Sequence, residues 1–298
     1  MRSLMLSLNV LFLLPVFAQT GYLKESPQLA YWELGRRSEV VIILHGGPGV
    51  EHTYLRPEFD VLKRSARIIY YDQRGCGRSK AGSRYLWQDH MSDLKRMIRE
   101  HAPGQKVFLA GSSWGSLLAL LYAYHYPEDI KGLILSGLVP WMGKGKDIRD
   151  RPYLQHRDPE EQPDPVIRKF PLQEHKWVEA IAENGDLVRR KVPIEKEVYA
   201  FRGPIRSHTV VSMESAPVMD SLHRIQLPAL ILNGSDPCRY LSAVNEYALV
   251  LPQSEIVYFD GACHDPWFSD PQKFRQVGNA FIRRVKKQSR KAGRLSRK

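Results

Sequence analysis

One short segment constrains this chain more than any other. The apolar run Val107-Phe108-Leu109-Ala110 leads directly into Gly111-Ser112-Ser113-Trp114-Gly115. A second apolar stretch, Leu117–Tyr126, follows and stops at Pro127. A strand that becomes a helix within five residues lays the helix back on the strand's own sheet. So sharp a turn needs small residues beside its centre, which places Ser113 at an exposed tip with Gly111 and Gly115 at its flanks.

The rest of the chain alternates in the same sense. Buried parallel strands are expected at Val40–Leu44, Arg67–Tyr71, Lys106–Leu109, Gly132–Leu135, Ala229–Leu232 and Glu255–Phe259, each a β-branched or aromatic run. Helices are expected at Trp87–Glu100, with Met91, Leu94, Met97 and Ile98 on one face, and from Pro271 to about Lys287. This is an α/β protein with a mostly parallel, doubly wound sheet. Residues 141–225 break the alternation and read as an inserted, mainly helical cap, with one amphipathic helix over Pro171–Asn184. The core is then 19–140 and 226–285, and such sheets bind ligands at the carboxyl ends of their strands.

Both termini lie outside that plan. Met1–Thr20 carries one Arg and an apolar run from Leu4 to Ala18, ending in Val16-Phe17-Ala18. That is the pattern of a signal peptide (1–18) cleaved near Ala18, so the chain is expected to be exported, periplasmic or secreted, with no transmembrane segment after its removal. The net charge of +12 invites a nucleic-acid partner. However, the tail after Ile282 holds nine basic side chains and no acid, so the body is near neutral and nucleic acid is not expected. Residues 286–298 read as a disordered basic tail that either stays solvated or contacts an anionic envelope surface. Three cysteines without CxxC spacing exclude a disulfide scaffold and a structural zinc site. Cys238 and Cys263 are either a disulfide between neighbouring loops or two small buried side chains.

The chemistry falls at strand ends. A serine hydroxyl at the tip of a strand–helix turn is a candidate nucleophile, and it needs a base to take its proton and an acid to orient the base. On this type of fold the order along the chain is Ser, acid, His. Asp236 in Asn233-Gly234-Ser235-Asp236-Pro237 and His264 in Gly261-Ala262-Cys263-His264 follow the strands at 229–232 and 255–259 and supply that pair. Asp260 and Asp265 are rival acids, too near His264 in sequence to face it well. The loop His45-Gly46-Gly47-Pro48-Gly49 lies where a second backbone donor to an oxyanion is expected, with His45 as a hydrogen-bonded support rather than the base. Asp72 and Arg74 read as a structural pair.

Together, HGGPG at 45–49, Asp72-Gln73-Arg74-Gly75-Cys76-Gly77-Arg78-Ser79 and Gly111–Ser116 resemble the prolyl iminopeptidase group of α/β-hydrolases, over roughly residues 30–140 and 225–285. The resemblance implies the α/β-hydrolase fold, a Ser113–His264–Asp236 triad, backbone N–H donors at Gly47 and Trp114, and release of N-terminal proline or a small residue from peptides. It implies no metal and no organic cofactor. Glutamates from the cap would bind the substrate amine, but the family's cap sequence is not recognisable here, and Glu174, Glu179, Glu183 and Glu214 are all candidates. A carboxylesterase acting on small esters or amides uses the same triad, and a catalytically silent envelope-binding protein is a reading of another class.

Overall fold

The computed structural model describes residues 19–143, 175–181, 187–193, 196–235, 241–262 and 264–295. The expected signal peptide, the acid Asp236 and both Cys238 and Cys263 lie outside the described residues.

An eight-stranded sheet runs through the core in the order β1-β2-β4-β3-β5-β6-β9-β10. Its six parallel members are β4 (Arg67–Tyr71), β3 (Val40–Leu44), β5 (Val107–Ser112), β6 (Ile130–Ser136), β9 (Ala229–Gly234) and β10 (Ser254–Phe259). These are the apolar runs of the sequence, and the reason is visible in β3. All five of its residues are buried. Val40, Ile42 and Leu44 face one hydrophobic layer, with α1 (Trp87–His101) and α2 (Trp114–His125). Val41 and Ile43 face the other, built on the 3-10 segment Glu58–Arg64 and the long C-terminal helix. A strand covered on both faces must be apolar throughout. At the edge, β1 (Gly21–Tyr22) and β2 (Ala30–Leu34) pair antiparallel, and β2 alternates buried with half-buried residues. That alternation is why no continuous apolar run announced it.

The cap departs from expectation. Residues His175–Ile181 form a strand, β7, and not part of a helix. β7 pairs antiparallel with β8 (Leu187–Pro193), from His175 opposite Pro193 to Ile181 opposite Leu187. Trp177-Val178 and Val188 favour strands, and Asn184-Gly185 between the two runs is a strong hairpin signal. The hairpin packs against the turn His52–Leu55 and against the short helix that follows His264. A helix, α3 (Lys196–Ser212), then leads back to the core. Beyond it come α4 (Leu241–Val250), the short α5 (Pro266–Ser269) and α6 (Pro271–Leu295). α6 runs past the expected end near Lys287 and carries helix into the segment expected to be disordered. Its Phe274, Phe281, Ile282 and Val285 are buried, while Arg284 pairs with Glu255 and Lys286 with Glu39.

The end of α3 is fastened to the start of α1 by polar contacts. Trp87 N donates to Ser212 Oγ at 2.9 Å, and Trp87 Nε1 to Ser215 Oγ at 3.0 Å. Thr209 Oγ1 donates to the carbonyl of Tyr85 or Ile205, both at 2.7 Å. It therefore accepts from His90 Nε2, 3.1 Å away. That leaves His90 Nδ1 buried, without a hydrogen-bond partner. Burial first, and then the charge of Arg74, lower the His90 pKa to about 3. Below about pH 6.5 the unfolded chain takes up a proton that folded His90 refuses, so stability falls as pH drops from 6.5 toward 3. One such group contributes a slope of up to about 1.4 kcal/mol per pH unit. Urea unfolding at pH 5 and pH 7 is expected to show a smaller pH dependence in His90→Gln than in the parent. An equal dependence in both would contradict this account.

Candidate active site

Among the described residues, the site is assembled at the carboxyl ends of β3, β5 and β6, with the loop after β10. Ser113 stands between β5 and α2 with φ 54° and ψ −120°, the one non-glycine with positive φ among the described residues. Holding a serine there costs about 1–3 kcal/mol, so the surroundings must fix it. They do so by close contact. Ser113 N donates to the Ser136 carbonyl at 2.9 Å, across to the end of β6. A Cβ on Gly111 would run into the Gly115 backbone, and one on Gly115 would overlap the Leu44 carbonyl. Glycine is thus required at both flanks of the turn. Its neighbours are excluded as nucleophiles: Ser112 is buried in β5, and Ser116 Oγ bonds both the carbonyl and the N–H of Ser136, at 2.9 and 3.0 Å. Ser113 itself is half-buried.

The HGGPG loop after β3 lies against this tip. A Cβ on Gly46 would come within 3.2 Å of the Ser113 Cβ and 3.1 Å of the Ser112 carbonyl oxygen. Gly46 N donates to Tyr54 Oη at 2.7 Å, which commits that N–H and leaves the Gly47 N–H as the loop's candidate donor. Gly47 adopts φ 113°, and a Cβ there would sit 2.7 Å from Gly49 N. His45 is buried, as its expected supporting role requires. Its Nε2 accepts from Gln73 N at 2.9 Å, so the proton is on Nδ1, which donates to the Gly46 carbonyl at 3.0 Å.

His264 has the longest distance to cover. β10 is three strands from β5, about 14 Å at the usual strand spacing. The loop after β10 brings His264 back to the end of β6. There a Cβ on Gly137 would lie 2.6 Å from its carbonyl oxygen, 3.1 Å from its ring Cε1 and 3.3 Å from Nδ1. Gly137 follows Ser136, the residue whose carbonyl holds Ser113 N. The structure thus places His264 and Ser113 on adjoining residues of one strand end. Asp236 follows the end of β9 by two residues in sequence and lies outside the described residues. Of the amine-binding candidates, Glu214 is exposed on a 3-10 turn; Glu174 and Glu183, and the Glu179 side chain, lie outside the described residues.

The second motif loop, 72–79, is structural, but Asp72 and Arg74 do not pair with each other. Asp72 accepts from His52 Nδ1 at 2.8 Å and from Arg78 N at 2.9 Å. Although burial pushes its pKa up, the pull of His52 and the hydrogen bonds from His52 and Arg78 N act together to hold it low. Arg74 forks onto Asp93 instead, at 2.7 and 2.8 Å. Glu51, His52 and Asp72 form the one cluster of potential metal ligands among the described residues. Asp72 is committed to His52 and Arg78 N, and Thr53 gives Glu51 two hydrogen bonds of 2.6 Å.

A strained serine elbow, a glycine-rich loop against it and a histidine returned to the same strand end define an α/β-hydrolase. The chain belongs to that family: the model for the alpha/beta hydrolase fold matches residues 39–187. Within it the sequence is prolyl iminopeptidase-like, and the protein is a hydrolase. It is 26% identical to a proline iminopeptidase of Saccharolobus solfataricus over 270 residues, 82% of this chain and 85% of that one. It is 28% identical to a proline iminopeptidase of Lactobacillus delbrueckii subsp. bulgaricus over 263 residues, 80% of this chain and 87% of that one. Among solved structures, a thermophilic esterase from Thermogutta terrifontis superposes with a TM-score of 0.67 at 21% identity, covering 90% of this chain and 99% of that one.

Proposed function

We propose that this chain is an exported serine aminopeptidase that releases N-terminal proline or a small residue from peptides through an acyl-enzyme. The positive φ of Ser113 between two obligatory glycines carries the reading, because it stores strain only to present that hydroxyl. Ser113 attacks the carbonyl, His264 takes its proton and later gives it to the leaving amine, and Asp236 orients His264. The N–H groups of Gly47 and of Trp114, the first residue of α2, stabilise the oxyanion; the positive end of the α2 dipole adds to this. The similarity to proline iminopeptidases over most of the chain supports the substrate class. The leader pattern of residues 1–18 supports export, and exposed Lys287, Arg290 and Lys291 on α6 are suited to an anionic envelope surface.

The substrate is tested with kcat/KM of the full chain on proline p-nitroanilide, free and N-acetylated, beside p-nitrophenyl butyrate. The proposal expects strong preference for the free amine and loss of turnover on acetylation. Turnover of the ester alone would keep the hydrolase and replace the aminopeptidase by a carboxylesterase.

A further inference from the structure

Gln73 lies in the loop after β4, touches none of the groups assigned a chemical step above, and yet holds both halves of the oxyanion site. Its backbone N–H donates to His45 Nε2 at 2.9 Å, and its side-chain Nε2 donates to the His45 carbonyl at 2.8 Å. Its Oε1 accepts from the Trp114 indole Nε1 at 2.9 Å. An indole N–H on one side and a carbonyl on the other leave only one way round for the amide. All three residues are buried, Gln73 and Trp114 at 1% exposure and His45 at 0%, so water does not compete for these bonds.

The consequence reaches the donors through the planarity of the peptide. Because Gln73 N–H occupies His45 Nε2, the ring's proton is on Nδ1 and points to the Gly46 carbonyl. The Gly46–Gly47 peptide is trans, so fixing its C=O on one side fixes the Gly47 N–H on the other. On the opposite wall, the bond to the Trp114 indole pins the residue whose own backbone N–H is the second donor. We propose that Gln73 is a positioning residue that sets the spacing and aim of the two oxyanion donors, one through His45 and one through Trp114. This rests on the oxyanion roles given to Gly47 and Trp114 under the proposed function.

A misaligned oxyanion donor weakens binding of the tetrahedral state and spares ground-state binding. The test uses the full chain with Gln73→Leu, Gln73→Glu and Trp114→Phe, beside Ser113→Ala. Each is assayed on the better of proline p-nitroanilide and p-nitrophenyl butyrate, with the folded fraction normalised by circular dichroism. Affinity is compared for a trifluoromethyl ketone, which adds to the serine to form a tetrahedral oxyanion, and for the corresponding alcohol, which cannot. Gln73→Leu is expected to lower kcat by roughly 10²-fold with KM within about threefold. Ketone affinity falls in parallel and alcohol affinity stays at the parental value. Gln73→Glu keeps the acceptor for Trp114 but sets a carboxylate against the His45 carbonyl, and is expected to lose a similar factor. Trp114→Phe removes the indole N–H together with the pyrrole ring and keeps the Trp114 backbone N–H position in the chain, and carries the test if the Gln73 variants do not fold. Parental kcat and ketone affinity in these variants, with Ser113→Ala inactive, would overturn the role of Gln73 alone. Persistent activity in Ser113→Ala would overturn the reading of the site itself.

Discussion

Ser113→Ala is expected to abolish turnover while leaving the fold unchanged. The substitution removes one oxygen from a half-buried tip and leaves every backbone contact of the turn in place, including the 2.9 Å bond from Ser113 N to Ser136. Alanine is strained at φ 54° as serine is, so stability should move by less than about 1 kcal/mol. Loss of the nucleophile from a triad costs about 10⁴-fold or more, and what the backbone donors and binding still supply is small beside the parental rate. The check is kcat on the preferred substrate with a parallel thermal melt. Activity above about 1% of the parent with an unchanged melt would point to another nucleophile.

The second large effect is on stability, and its sign runs against propensity. In an open helix, alanine in place of glycine stabilises by about 1 kcal/mol. Gly115→Ala in α2 should instead destabilise by about 3 kcal/mol or more, because the new Cβ overlaps the Leu44 carbonyl oxygen. It would also lie 2.6 Å from the Leu44 carbonyl carbon and 2.8 Å from the His45 oxygen. These are backbone atoms, and β3 is held in register with Leu44 opposite Gly111, so they cannot swing aside as a side chain would. Relief requires moving α2 off the sheet and the HGGPG loop away from Ser113, and activity should fall with stability. Gly203→Ala in α3, where a Cβ meets nothing within 4 Å, is the matched control and should stay within about 1 kcal/mol of the parent. Equal melting of the two variants would show that the close packing behind the elbow is absent.

What the sequence made legible is what local patterning carries. β3, β4 and β10 are covered on both faces or end at punctuated loops, so their runs could be read within a residue or two. The elbow could be read because its glycines are required by backbone contact within a single turn. Partnership is less legible. Asp72 and Arg74 look like a pair because they are opposite charges two residues apart. Their actual partners, His52 and Asp93, stand 20 and 19 residues away. Gln73 binds residues 28 and 41 positions distant, and a lone polar side chain gives no local sign of such a role. The cap hairpin was legible in principle from Asn184-Gly185, but the charges and aromatics of β7 imitate a helical face over so short a span. For the site, the tip, the loop and the histidine could be placed by strand order alone. The return of His264 across three strand widths to Gly137 could not.

The central claim is that Ser113 is the group that reacts, activated by His264. Its most direct measurement is the intact and peptide mass of the chain after treatment with a fluorophosphonate, a reagent that needs an activated serine. The account predicts one adduct per chain, on the peptide containing Ser113, absent in Ser113→Ala and strongly slowed in His264→Ala. An adduct on another residue, or the same rate of labelling without His264, would contradict it.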